Sequence, residues 1–263
     1  MQTSDIRTPA EIYDNLFVPA LFQQWSDIVL DAAQISASAK VLDIACGTGV
    51  LALAAADRVG TEGKVVALDA SPEMLAVARR KSRSIEWHEG VAESLPFEDK
   101  TFDAVVSQFG IMFFSDRITA LKEMMRVLRR GGRLAIAVCD SLDHSPGYSA
   151  LAKLLERLFG TRVADAFRAP FVLGNPETLR SLCSNADIGN AQIRQHVGHV
   201  RFASIASLVS TERACAWTLG GMLDDQQFEQ LSREAELALK PFASPNGEVV
   251  FEMPALIITV HSV

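Results

Sequence analysis

Short apolar runs alternate with amphipathic segments between residues 40 and 140. Runs such as VLDI and VVALD are typical of parallel strands covered on both faces, whereas apolar residues at steps of three and four indicate helices. Repeated strand and helix units with right-handed crossovers form a doubly wound parallel sheet. The pattern predicts strands near residues 40–45, 64–69, 85–88, 102–107 and 132–139, and helices near 49–59, 72–82 and 116–129.

Helix-ending residues agree with this register. Ser71 can cap a helix whose first residue is Pro72, and Gly131 can close a helix that ends at Arg130. Before the first strand, apolar residues of EIYDNLFVPALFQQWSDIVLDAA recur mainly in steps of three and four, which predicts a helical lead-in. We expect Pro19 to break or kink it.

The alternation loosens after residue 140. Two predicted helices, SALAKLLERLF and PETLRSLCSNA, are joined by the turn-rich APFVLGNP, and strands near 191–202 and 248–261 follow. We therefore expect one domain of 263 residues. Its predicted parts are a helical lid over residues 1–38, a ligand-binding core over 39–140, a cap inserted over 141–188, and a segment over 189–263 that completes the sheet.

Composition narrows the class of partner. The chain is 49% hydrophobic and 22% charged, with a net charge of −7. Nucleic-acid binding depends on Lys and Arg that neutralise phosphates, so we expect no nucleic-acid partner. No apolar run has the length of a membrane span, and the first residues lack the basic-then-apolar order of a signal peptide. We expect a cytoplasmic protein, whose oligomeric state the sequence does not indicate.

The segment VLDIACGTGVLALAAA reads as a buried strand, a glycine turn and a helix in succession. Gly47 and Gly49 lie in the turn, where residues without a Cβ let a ligand approach the backbone and the unpaired N–H groups of the helix. Asp43 ends the first strand, and Asp69 ends the next, where a carboxylate can accept both ribose hydroxyls of a nucleotide. GTGVLA also fits a dinucleotide fingerprint, so a nicotinamide cofactor stays open at this point.

Four ordered blocks distinguish these alternatives: VLDIACGTG, VVALDASPEMLAVAR, GVAESLPFEDKTFDAVVSQFGIMFF and LKEMMRVLRRGGRLAIAV. Together they resemble class I S-adenosylmethionine (SAM)-dependent methyltransferases, in particular the small-molecule and quinone-type subgroup. The resemblance implies a Rossmann-like α/β fold whose seven-stranded sheet has the order 3-2-1-4-5-7-6 with the last strand antiparallel. It also implies that the lid and a helical cap cover the carboxyl ends of the strands, where ligands bind in open α/β sheets.

The resemblance further implies a set of cofactor contacts. Asp43 would orient the glycine loop or meet the methionine amino group, Asp69 would bind the ribose, and Met74 would pack on adenine. Val91 stands where the family often has an aspartate for the adenine amino group, so that contact passes to Glu93 or to water. The predicted cofactor residues are Asp43, Gly47, Gly49, Asp69, Met74, Ala92, Glu93 and Gln108.

The acceptor pocket is predicted from apolar and aromatic residues. Phe109, Met112 and Phe113 follow the fourth strand, and Tyr13 and Phe17 can line the lid. Methyl transfer gains much from alignment alone, so a dedicated base can be unnecessary.

Among the ionisable side chains, His144 is the candidate general base, because it lies just beyond the fifth strand. The four cysteines are far apart and form no C-x-x-C pair, so we expect them reduced. No spacing of His, Cys, Asp and Glu indicates a metal.

The sequence thus predicts a SAM-dependent methyltransferase for a small, partly apolar acceptor molecule, with the acceptor atom unassigned. Three alternatives remain: a nicotinamide oxidoreductase, a SAM-binding protein with other chemistry on the same fold, and a non-catalytic interaction module. The oxidoreductase is disfavoured because neither Tyr13 nor Tyr148 lies in a Y-x-x-x-K frame.

Overall fold

In a computed structural model, which describes residues 8–215 and 218–263, a seven-stranded sheet lies at the centre. The sheet strands are β1 (Lys40–Ile44), β2 (Lys64–Asp69), β3 (Glu86–Glu89), β4 (Phe102–Gln108), β5 (Leu128–Cys139), β6 (Gln192–His196) and β9 (Ala255–His261). Their order is β3-β2-β1-β4-β5-β9-β6, and β9 is antiparallel to both neighbours. Counted as seven sheet strands in chain order, this is 3-2-1-4-5-7-6, which confirms the predicted fold.

Helices cover both faces of this sheet. The central strands are fully buried at residues such as Leu42, Val105 and Ile136, as expected for parallel strands with two covered faces. None of the helices in the described ranges is both long and apolar enough to cross a membrane. The α-helices are α1 (Pro9–Ile12), α2 (Trp25–Ala32), α3 (Val50–Val59), α4 (Pro72–Lys81), α5 (Arg117–Val127), α6 (Pro146–Phe159), α7 (Thr161–Arg168), α8 (Pro176–Asn185), α9 (Ile205–Ala214) and α10 (Asp225–Ala238).

Several of these helices begin after a residue whose side chain caps the first turn. Ser71 accepts the Met74 N–H at 3.3 Å with Pro72 in the first turn, as predicted. The predicted end of the following crossover helix is wrong. Helix α5 ends at Val127 rather than at Arg130, and the Gly131 N–H instead donates to Ser262 at 2.8 Å. Residues from Leu128 onward therefore join β5 instead of extending α5.

The lead-in continues through Pro19. After α1, residues Tyr13–Phe22 form a π-helix that contains Pro19, and the chain turns only at Gln23 before α2. Each backbone bond of a π-helix spans five residues, as in the 2.8 Å bond from the Gln23 N–H to the Val18 carbonyl. From here on, the name lid is restricted to residues 9–22, which cross the carboxyl ends of the strands. The first seven residues of the predicted lead-in lie outside the described residues.

Each of the two long strands predicted after residue 190 is divided in two. Besides β6 and β9, the chain forms β7 (His199–Phe202) and β8 (Val249–Glu252), which pair with each other in a separate antiparallel ribbon. Gly198 and Pro254 mark the breaks. A Cβ at Gly198 would lie 2.2 Å from the Trp25 indole, and Pro254 has no N–H for a ladder.

The cap differs from the predicted segment 141–188. Helices α6 and α7 belong to it, but α8 packs against α5 and β6 beside the sheet. Two further helices, α9 and α10, lie between β7 and β8 in sequence, and α10 packs on α6 while α9 meets the lid. Residues 189–263 therefore supply the remaining strands of the sheet and also two helices of the cap above it, α9 and α10.

Candidate active site

A cavity of about 440 Å³ lies at the carboxyl ends of the strands, enclosed by the lid and the cap. Such a volume is in the range of pockets that hold small molecules and cofactors. One end is formed by the loops after β1, β2 and β3, and the other by the end of β5 together with α6, α7 and α9. We call these the loop end and the cap end.

The loop end is organised by Asp69. Its Oδ2 accepts the N–H of Gly47 at 2.7 Å, and its Oδ1 accepts the N–H of Ser71 at 2.8 Å. Burial raises the pKa of the Asp69 carboxyl, and these N–H groups oppose the rise. Each carboxylate oxygen has a second lone pair, and Asp69 lines the cavity, so it can still accept hydroxyl groups from a ligand.

The two glycines of the turn have different surroundings. Both have positive φ, +55° at Gly47 and +90° at Gly49, which a residue with a side chain adopts at a cost. Gly47 lines the cavity, where a Cβ would come within 3.9 Å of the Tyr13 ring. Gly49 does not line it. A Cβ at Gly49 would lie 2.6 Å from the Trp87 ring, so packing on β3 requires this glycine.

Asp43 lies beneath the cavity and does not line it. Its side chain is fully buried, and neither oxygen accepts a hydrogen bond of normal geometry from the described residues. Burial and the Asp69 charge raise the pKa of this carboxyl, opposed by the N–H of Ala52 in the first turn of α3. Asp69, and not Asp43, holds the glycine turn. A buried carboxylate without a strong partner at a helix N-terminus is costly and is typical of a binding site.

Two residues at adjacent strand ends have left-handed backbones. Ala45 after β1 has φ +56° and Phe109 after β4 has φ +55°, and both line the cavity. Such conformations cost of order 1–3 kcal/mol outside glycine and cluster at binding sites. The tight approach of the two loops explains the strain, since a Cβ at Gly110 would lie 2.5 Å from that of Ala45.

The loops after β2 and β3 bring the other predicted cofactor residues together. Met74, Ala92 and Glu93 line the cavity, and Val91 lines it while half exposed. Glu93 Oε1 accepts the N–H groups of Ser115 at 2.9 Å and of Asp116 at 3.1 Å. Glu93 therefore connects this loop to the N-terminus of α5, in addition to any contact with a ligand.

Gln108 connects the end of β4 to the lid. Its Nε2 donates to the Phe22 carbonyl at 3.0 Å, and its Oε1 is buried with no partner among the described residues. Phe22 was not predicted as a site residue, because only its spacing, and not its neighbours, could be read from the sequence. Its ring centroid lies 5.3 Å from that of Tyr13 and 5.5 Å from that of Phe109.

All five residues predicted for the acceptor pocket line the cavity: Tyr13, Phe17, Phe109, Met112 and Phe113. The structure does not bring His144 to them. Its side chain is 55% exposed, and its Nδ1 lies 3.1 Å from Asp140 Oδ2. His144 is absent from the lining, so the geometry does not support its predicted role as general base.

The cap end contains residues that the sequence interpretation missed, including Tyr148, Glu212 and Thr218. Glu212 carries a signal that could have identified it. In α9 the buried residues Ile205, Leu208 and Val209 share a helix face with Glu212, so an acid interrupts an apolar stripe. The aromatic and apolar residues at the same end are Cys139, Phe167, Phe171 and Met253.

Three of the four cysteines, Cys46, Cys139 and Cys183, are buried. Burial raises the pKa of the Cys46 thiol well above its usual range. No cluster of His, Cys, Asp and Glu among the described residues could hold a metal ion.

The comparisons with known proteins agree with this arrangement. The ubiE/COQ5 methyltransferase family model matches residues 10–165. A demethylmenaquinone methyltransferase of Staphylococcus carnosus (strain TM300) is 32% identical over 205 residues, which are 72% of this chain and 85% of that protein. The ubiquinone/menaquinone biosynthesis C-methyltransferase UbiE of Idiomarina loihiensis is 37% identical over 132 residues, 48% of this chain and 53% of that protein.

Among solved structures, the YcgJ protein of Bacillus subtilis aligns with a TM-score of 0.60 at 21% identity. The alignment covers 91% of this chain and 98% of that one. At this identity the structural similarity shows the shared fold alone.

Proposed function

The chain belongs to the ubiE/COQ5 methyltransferase family, a family of SAM-dependent enzymes, and we propose that it methylates a ring carbon of a small hydroquinone with an apolar substituent. The observation that supports this acceptor is one continuous cavity, which Asp69 and Glu93 line at the loop end and Phe167, Phe171 and Met253 line at the cap end. Quinones also appear in the names of the two relatives described above, a demethylmenaquinone methyltransferase and a ubiquinone/menaquinone biosynthesis C-methyltransferase. The nicotinamide alternative has no support in the family match.

The loop end fits SAM. The Asp69 carboxylate can accept ribose hydroxyls while it holds Gly47, and Met74 offers an apolar surface for adenine. Gln108 lines the cavity, and its Oε1, which has no partner among the described residues, is an acceptor for a polar group that such a ligand brings. SAM supplies, when bound, an electrophilic methyl group on a sulfonium.

The acceptor must therefore be a nucleophile, which makes the reduced ring the substrate form. A quinone ring is electron-poor, whereas a hydroquinone feeds oxygen lone pairs into its ring carbons. The apolar walls at the cap end, among them Phe167 and Met253, can receive the ring and exclude water. Alignment in a dry pocket can contribute roughly 7–11 kcal/mol toward the barrier.

The test is methyl transfer by the purified chain to 2-prenyl-1,4-naphthoquinone. The ring is reduced with dithionite under anaerobic conditions, and the product is identified by mass spectrometry with SAM that carries a deuterated methyl group. We expect a ring-methylated product from the reduced form and none from the oxidised form. SAM binding without methylation of any hydroquinone or phenol in a panel would contradict the proposed acceptor.

A further inference from the structure

Glu212 is a buried acid at the cap end of the cavity. It lies on the inner face of α9 and lines the same cavity as Tyr148 and Phe167, and its residue exposure is 2%. Among the described residues no lysine, arginine or histidine pairs with it. An acid in an apolar wall without a cation is costly, so packing does not account for it.

Two side-chain hydroxyls lie near this carboxyl. Thr218 Oγ1 donates to Glu212 Oε2 at 3.1 Å, and the Tyr148 hydroxyl of α6 lies close without a hydrogen bond of normal geometry. The thiols of Cys215, three residues further along the chain, and of Cys139 at the end of β5 line the same cavity near the Tyr148 phenol. The Tyr148 phenol and the Cys139 thiol are neutral near pH 7, because burial raises the pKa of both groups well above their usual ranges.

We propose that Glu212 is the catalytic general base that accepts the proton of the acceptor's ring hydroxyl, an inference that rests on the proposed function. The geometry supports it because Glu212 is the acid of the cap end, whereas Asp69 and Glu93 belong to the loop end and already accept backbone N–H groups. A base at the cap end can contact the ring on the side away from the cofactor loops.

The environment also suits the task. Burial raises the pKa of Glu212 to about 7, against the opposing interactions with Tyr148 and Thr218. A general base works best when its pKa is near the operating pH, because it is then both ionised and basic.

With a hydroquinone as the acceptor, the Glu212 carboxylate takes the hydroxyl proton, and the O–H electron pair moves into the ring. The ring carbon forms its bond to the methyl carbon, and the broken C–S bond leaves its pair on sulfur as a neutral thioether. The same ring carbon then loses its proton to solvent and the ring becomes aromatic again as its oxygen recovers the proton from Glu212, so one proton is released in total.

The first experiment compares Glu212→Gln with Glu236→Gln, an exposed glutamate of α10 that serves as the matched control. We expect the Glu212→Gln variant to lose about 10²–10⁴-fold in kcat for 2-prenyl-1,4-naphthohydroquinone, with unchanged SAM affinity. The parent kcat should rise with pH and level off above about 7, and the variant should lose this inflection. Thr218→Val should move the inflection to higher pH, because Thr218 lowers the pKa of Glu212.

The second experiment measures binding without turnover. With S-adenosylhomocysteine present, calorimetry compares 1-naphthol with 1-methoxynaphthalene, which has no hydroxyl to donate. We expect the parent at pH 8 to prefer 1-naphthol at least tenfold, as hydrogen bonds to charged groups do, and Glu212→Gln to lose most of this preference. The Glu236→Gln control should retain it.

The outcomes separate the two proposals. Methyl transfer by the parent together with a Glu212→Gln variant within about threefold of it, and with the same pH profile, would overturn the role of Glu212 and leave the proposed function intact. Failure of the parent with every ring hydroxyl would overturn the proposed function. In that case equal affinity for the two naphthalenes would overturn Glu212 as well, whereas a preference that depends on Glu212 would support its contact with a ring hydroxyl.

Discussion

Asp69 Oδ2 accepts the Gly47 N–H at 2.7 Å, which joins the end of β2 to the glycine turn after β1. The same carboxylate accepts the Ser71 N–H that precedes α4. One side chain thus positions two loops of the cavity and still faces it. We therefore expect any substitution of Asp69 to alter both the conformation of the glycine turn and the binding of the ligand.

Asp69→Ala should weaken SAM binding at least tenfold. The variant loses charge-assisted hydrogen bonds, each contributing about 1.5–3 kcal/mol, and leaves the Gly47 N–H without its acceptor. Calorimetry measures the affinity, with Asp57→Ala on the exposed side of α3 as the control. A folded Asp69→Ala variant with parental affinity would contradict the assignment.

Gly47→Val should abolish SAM binding, whereas Gly60→Val should not. Both glycines have positive φ, +55° at Gly47 and +68° at Gly60, so a branched residue strains the backbone at either position. Only Gly47 lines the cavity, while a Cβ at Gly60 meets nothing within 4 Å. Thermal unfolding compares their stability and equilibrium dialysis their binding. Equal affinities of the two variants would show that the turn at Gly47 is structural only.

His144→Ala should change kcat by less than about threefold, far below the 10²–10⁴ expected for loss of a general base. The reason is position, because His144 is more than half exposed and pairs with Asp140 outside the cavity. Steady-state kinetics on the reduced naphthoquinone, from pH 6 to 9, provides the measurement. A large loss that shrinks at high pH would return His144 to the mechanism.

Glu212→Gln should flatten the pH dependence of stability. The folded pKa of about 7 exceeds the ordinary value of 4.5, so between these values the folded state binds more protons than the unfolded state. From this group alone, the unfolding free energy falls by up to about 1.4 kcal/mol per pH unit as pH rises from 4.5 to 7, and then stays constant.

Urea unfolding at several pH values tests this expectation. The parent should lose stability relative to the Glu212→Gln variant across the interval from pH 4.5 to 7, and the difference between them should not grow further above it. Parallel stability curves would mean that Glu212 titrates normally and is not held in an apolar wall.

Much of the sheet could be predicted because a strand that is buried on both faces has a nearly continuous apolar run in its own sequence. Runs such as VLDI at β1 and VVALD at β2 are apolar throughout except for their aspartates, and Ser71 with Pro72 marks the start of α4. The end of α5 could not be predicted in the same way. Leu128 pairs with Phe102 of β4, and this contact between distant segments cannot be read from the local pattern of residues 128–130.

The sequence by itself determined the order of strands and helices in the core, the strand-end Asp69 and the glycine turn, because each depends on residues close together along the chain. Only the tertiary structure decided that Trp87 requires Gly49, that Asp69 holds Gly47, and that Glu212 meets Tyr148. These contacts join distant segments, and their existence depends on how helices dock on the sheet. A local pattern records which face of α9 is buried, but not the cavity that this face encloses.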